Sequence, residues 1–86
     1  MNLISRPADF NKDNYQQVSY LQAESLRFGE EFHYYKGHQY ANQMERVLNE
    51  DSLVEGSQLF FEENGLLFVA FRRTYLSIML YVYKRV

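Results

Sequence analysis

His33 and His38 are the only imidazoles in this chain, and Tyr34, Tyr35 and Lys36 lie between them. Imidazole titrates near neutral pH, so two of them could supply the acid and the base of a ribonuclease-like reaction. Nothing in the spacing fixes their mutual geometry. Glu30 stands three residues before His33, the spacing of a carboxylate–imidazole metal pair on one helix face. Di-iron bundles need a second such pair and further glutamates on other helices, and this chain has one pair only. There is no cysteine, so neither a thiolate metal site nor a disulfide can form. A phosphate-cradling glycine loop, a nucleophile elbow and a calcium loop are all missing. These features predict a chain without catalytic residues, metal or cofactor, with a small ribonuclease-like enzyme as the third reading of its function.

Charge points to contact chemistry instead. Residues 1–71 hold all eleven acids and five bases, whereas residues 72–86 hold Arg72, Arg73, Lys84 and Arg85 and no acid. These four bases could meet phosphate. If the last strand returns antiparallel, two lie at each end of a sheet. They then form no single patch, and solubilising strand-end charge is the simpler role. Glu30, Glu31, Glu62 and Glu63 are acidic groups that could dock on a basic partner.

The elements that must position these groups centre on residues 58–86. Asn64-Gly65 is a type I′ turn signal, because both residues tolerate positive φ. A turn there pairs Glu63 with Leu66, Phe61 with Phe68 and Leu59 with Ala70. The next turn falls around residues 72–75. A loop of two or four residues there sets Phe71 opposite Leu76 and Val69 opposite Ile78, whereas a three-residue loop reverses the faces of the last strand. The even loop gives one wholly apolar face: Phe60, Leu67, Val69, Phe71, Leu76, Ile78, Leu80 and Val82. The other face carries Leu59, Phe61, Phe68, Tyr75, Met79, Tyr81 and Tyr83, with Arg72, Arg85 and Glu63 at its margins.

Upstream, Asp13-Asn14-Tyr15-Gln16 matches a capping box. It predicts a helix from about residue 14 to 27, with Tyr15, Val18, Leu21, Ala23, Leu26 and Phe28 apolar and Gly29 as a stop. Residues 30–37 read as irregular. A second helix over residues 38–50 aligns Tyr40, Ala41, Met44, Val47 and Leu48 on one face. Leu3 and Ile4 could form a short edge strand before Pro7. The predicted fold is α+β: two helices packed on one face of a three-stranded antiparallel β-meander, in the order ααβββ, with that possible N-terminal edge strand. It is one small domain over residues 1–86, helical over about 13–50 and a β-meander over about 58–86.

The second sheet face is the predicted interaction surface: Phe61, Phe68, Tyr75, Met79, Tyr81 and Tyr83 with Arg72 and Arg85. Tyrosine, phenylalanine, methionine and arginine are enriched at interface centres. The function that follows is a small non-catalytic protein-interaction module and homodimer. It would act as an inhibitor or antitoxin-like regulator docking on a larger protein, such as a basic nucleic-acid enzyme. The alternative is an RNA-binding module that stacks bases on the aromatics and meets phosphate with Arg72, Arg73, Lys84 and Arg85. A further option is that residues 1–10 or 30–37 fold over the face and bury it. No apolar run approaches a membrane span and no cysteine needs an oxidising compartment, so the expected location is the cytoplasm, away from membranes.

Overall fold

Asn64 and Gly65 adopt positive φ, 52° and 79°, in a computed structural model that describes residues 2–86. They close a hairpin between β3 (Gln58–Glu63) and β4 (Leu66–Thr74), in the register that the turn chemistry requires: Glu63 pairs with Leu66, Phe61 with Phe68 and Leu59 with Ala70. β5 (Ser77–Arg85) returns antiparallel beside β4. β1 (Leu3–Ile4) pairs with Phe60 and Phe61 at one edge, and β2 (Tyr15–Glu24) pairs with β5 at the other. The result is one five-stranded antiparallel sheet in the order β1-β3-β4-β5-β2. A single helix, α1 (Ala41–Leu48), lies among the described residues.

This overturns the arrangement of two helices on a three-stranded meander. The segment expected to be the first helix is β2. Asp13 does not cap a helix; its own N–H and that of Asn14 are bonded to Asn11 Oδ1 at 2.9 and 3.2 Å. Asn11 thus closes a local side-chain turn, the competing use of such residues. From there the chain alternates: Leu21 and Ala23 are buried, while Tyr20 and Glu24 are exposed. That period of two matches a strand, and the free edge of β5 supplies a ladder that a helix would leave unpaired. A bulge between Gln17 and Ser19 breaks the alternation and disguises it.

The second helix does form, shorter than its apolar pattern. Met44 and Val47 are fully buried on the sheet, and Tyr40 and Leu48 pack beside them. The entry to α1 has no side-chain cap on Tyr40. Instead the Tyr40 N–H donates to His38 Nδ1 at 3.0 Å.

The second β-turn decides the faces. Thr74 pairs with Ser77 around Tyr75 and Leu76, and the register slips by one residue between Arg72 and Thr74. Tyr75 and Leu76 lack positive φ, so they do not make the primed turn that matches strand twist. Leu76 N–H bonds to Thr74 Oγ1, and the extra residue Arg73 takes up the mismatch as a bulge. Phe71 consequently pairs with Met79, Val69 with Tyr81 and Ala70 with Leu80. The last strand is reversed relative to the even-loop register. The helix-covered face holds Phe61, Phe68, Ala70, Ile78, Leu80 and Val82 with Leu21 and Ala23 from β2. The opposite face holds Phe60, Leu67 and Val69 with Tyr15, Tyr81 and Tyr83.

Candidate functional site

The eight residues of the predicted interaction surface are divided by that reversal. Phe61 and Phe68 stack at 4.9 Å between ring centroids, with their planes 5° apart. Both are buried under α1, and Tyr40 closes on Phe68 edge-on at 5.4 Å. Met79, Tyr81 and Tyr83 lie on the other face, Met79 buried and the two tyrosines half-buried. Tyr75 is exposed at the β4–β5 turn.

The N-terminal segment crosses this second face and covers part of it. Phe10 packs edge-on against Tyr83, Tyr15 and Phe60 at 4.9, 5.5 and 5.7 Å. Arg6 sits over the Phe10 ring at 5.0 Å. Burial, and then neighbouring Tyr81, pushes the Tyr83 hydroxyl above its ordinary value. A shallow cleft of about 360 Å³ remains between Phe10, Asn11, Lys12, Tyr15, Gln17 and Tyr83.

Arg85 clamps the segment: Nη1 donates to Asp9 Oδ2 and Nη2 to the Tyr15 hydroxyl, each at 2.7 Å. The Arg85 hydrogen bond and charge hold the Asp9 carboxyl below its usual range. A depressed carboxylate contributes stability that is complete above its unfolded value and is lost as pH falls through the lower folded value. Acid titration is therefore expected to loosen the segment below the ordinary aspartate range, before the core melts. Aromatic NMR signals of Phe10 and Tyr15 should shift in that window and stay flat in Asp9→Asn; identical curves would place the transition elsewhere.

Arg72 is also occupied. It lies on the helix-covered face, donating Nη1 to the Leu53 carbonyl at 3.1 Å and Nη2 to the Tyr75 carbonyl at 3.2 Å. Its guanidinium is 5.6 Å from the Phe32 ring and 5.7 Å from that of Tyr75. Of the four bases offered to phosphate, only Arg85 has an ion-pair partner among the described residues; Arg73 and Lys84 make no side-chain hydrogen bond either, and they sit at opposite ends of β4 and β5.

The acidic residues separate too. Glu63 accepts from Arg46 and Gln43 and is held below the ordinary glutamate range chiefly by Arg46. Glu62 is exposed near Arg46 and Asn2. Glu30 and Glu31 instead line a cleft of about 290 Å³ with Phe32, Tyr34, Lys36 and Glu45. His33 serves through its backbone, exchanging two bonds with Glu24. No group of three potential metal ligands gathers among the described residues.

A surface not visible as a stretch in the sequence is assembled at the β4–β5 end. Leu26 and Phe28 on the loop after β2 are about four-fifths exposed (80 % and 78 %), and Tyr75 and Leu76 at the turn and Val54 on the connector after α1 are exposed too. Three segments build this tip. The loop after β2 arrives through Ser25, whose N–H bonds to the Leu76 carbonyl, and Phe28 meets Tyr75 edge-on at 5.9 Å. The connector after α1 arrives through Leu53, held by Arg72, and Gly56, whose N–H bonds to the Arg72 carbonyl. Sequence offered only weak signals for it: Leu26 and Phe28 read as a helix stripe, and Val54 as part of a linker.

No family model, curated protein or solved structure matches the chain. No helix among the described residues is long and apolar enough to cross a membrane.

Proposed function

We propose that the chain is a non-catalytic protein-interaction module that docks through the β4–β5 tip. One observation carries the reading: Phe28 and Tyr75, from separate loops, meet edge-on at 5.9 Å and are both exposed, with exposed Leu26, Val54 and Leu76 on the segments bonded at the same turn. Contiguous apolar surface on a small protein marks a contact site, because leaving it in water is costly and promotes aggregation. Hot spots in such contacts are few, central and often aromatic, which singles out Phe28 and Tyr75. On the loop that carries Phe28, Glu30 pairs with Arg27 at 3.4 Å and Glu31 has no ion pair among the described residues, so Glu31 is the acidic group that a basic rim on the partner would meet. An inhibitor or antitoxin-like regulator of a larger nucleic-acid-acting protein is the version of this function that such a rim favours.

The test is site-directed photo-crosslinking of the full chain in its own cells. Reactive residues at Phe28 and Tyr75 should give one protein adduct in common, while the same residue at Gln58 or Lys84 should not. The purified adduct partner should then bind Phe28→Ser at least tenfold more weakly, as expected for a hot-spot loss of roughly 2 kcal/mol. Glu31→Gln should slow association. RNA adducts in place of protein, or equal yields from all four positions, would overturn the proposal.

A further inference from the structure

β2 is the longest strand and forms an edge of the sheet. Its inner side is bonded to β5. On its outer side Glu24 exchanges both backbone bonds with His33, at 3.0 and 2.7 Å. Alternation along an antiparallel strand then turns the N–H and C=O of Gln22 and Tyr20 outward as well. No other segment takes those groups among the described residues. Tyr20 and Val18 are exposed along the same stretch, at 59 % and 43 %.

Natural sheets guard such edges with charge, proline or very short strands. Residues 15–23, YQQVSYLQA, contain no charged residue and no proline. The opposite edge is guarded in all three ways. β1 has two residues, Arg6 and Pro7 follow it, and Glu62 is exposed on β3 next to it. Unpaired rungs on an uncharged edge suit one class of occupant, another extended strand, which completes the ladder by β-augmentation.

We infer that β2 pairs antiparallel with β2 of a second copy about a two-fold axis, joining two five-stranded sheets edge to edge. Isologous pairing requires a surface complementary to itself. An uncharged strand meets that requirement, because no like charges come opposite one another across the axis. Among the described residues each chain has one unguarded edge, so the assembly closes at two copies instead of growing into a fibre. The Glu24–His33 bridge ends the usable edge and places the new rungs around Tyr20 and Gln22. This contact leaves the β4–β5 tip free, so it stands apart from the proposed docking function.

Sedimentation equilibrium of the full chain across a concentration series should give a mass rising from 10.4 kDa to twice that value. Tyr20→Lys should weaken self-association roughly tenfold or more, because a charge on an edge opposes strand pairing. Gln22→Pro removes an outward N–H, which an edge strand tolerates, together with the side-chain bonds from Gln22 to Glu24 and Ser77, and should give the same result. Amide exchange on the unmodified chain provides a readout that does not depend on either variant folding. The Tyr20 and Gln22 N–H groups should exchange slowly when the protein is concentrated and fast when it is dilute. A monomer at every concentration would overturn the inference. So would a dimer whose Tyr20 and Gln22 amides exchange fast, or one that Phe28→Ser dissolves and Tyr20→Lys does not.

Discussion

Phe68→Ala is expected to destabilise the domain by about 3–5 kcal/mol, the range for a large aromatic removed from a packed core. Phe68 is 1 % exposed, stacks on Phe61, meets Tyr40 and pairs with Val82 on the helix-covered face. No neighbour can fill the space without opening the contact between α1 and the sheet. At roughly 0.05–0.15 kcal/mol per residue, a chain of this length holds only roughly 4–13 kcal/mol in total. The variant should therefore unfold at far lower denaturant, or be substantially unfolded in buffer. Tyr81→Ala supplies the comparison. Tyr81 is half-buried on the opposite face, and its loss should cost well under half as much. Had the last strand kept the even-loop register, Phe68 and Tyr81 would share one face and the two variants would behave alike. Guanidinium titration of both variants reads the strand parity directly, and equal midpoints would refute the register described above.

That parity marks the boundary of what the sequence makes legible. The Asn64-Gly65 hairpin is readable because two residues with rare backbone freedom sit between apolar strands, and its register agrees at every pair. The β4–β5 turn has no such residue. Its bulge at Arg73 arises from fitting Tyr75 and Leu76 to the strand twist, a balance of small strains that no residue type announces. One residue of slip then moves Met79, Tyr81 and Tyr83 away from Phe61 and Phe68. β2 is hidden for a related reason. Tyr15, Val18 and Leu21 fall at helical spacing only because the bulge at Gln17–Ser19 interrupts a two-residue alternation. Helix α1 is readable because Met44 and Val47 share a face with Tyr40 and Leu48 under either strand register. The tip is the least legible feature, since Phe28 and Tyr75 become neighbours only once the sheet has closed.

Arg72 provides the second large effect, and a sharp separation between contact chemistry and architecture. If its guanidinium were free for phosphate, Arg72→Ala would leave the fold intact and lower only an affinity. In the structure its two donors hold the Leu53 and Tyr75 carbonyls, and its backbone N–H and C=O bond to Ser57 and Gly56. The side chain therefore ties the connector after α1 to the β4–β5 turn, with Phe32 against its plane. Truncation removes two charge-assisted hydrogen bonds, one of them anchoring a segment whose Leu53 side chain is 2 % exposed. A loss of about 2 kcal/mol follows, below the simple sum because the Tyr75 carbonyl can turn to water. Arg72→Lys should recover little of it, since an ammonium does not reproduce the planar fork that reaches two carbonyls at once. Arg73→Ala, one residue away on the bulge and exposed, should be near neutral. Thermal melts of the three variants test this, and a stable Arg72→Ala would return that side chain to the pool of free bases. The expected pattern instead makes Arg72 the strut on which the apolar tip is mounted. Its loss should then weaken docking indirectly, by letting residues 53–57 drift from Tyr75, while Phe28→Ser weakens docking without lowering the melt.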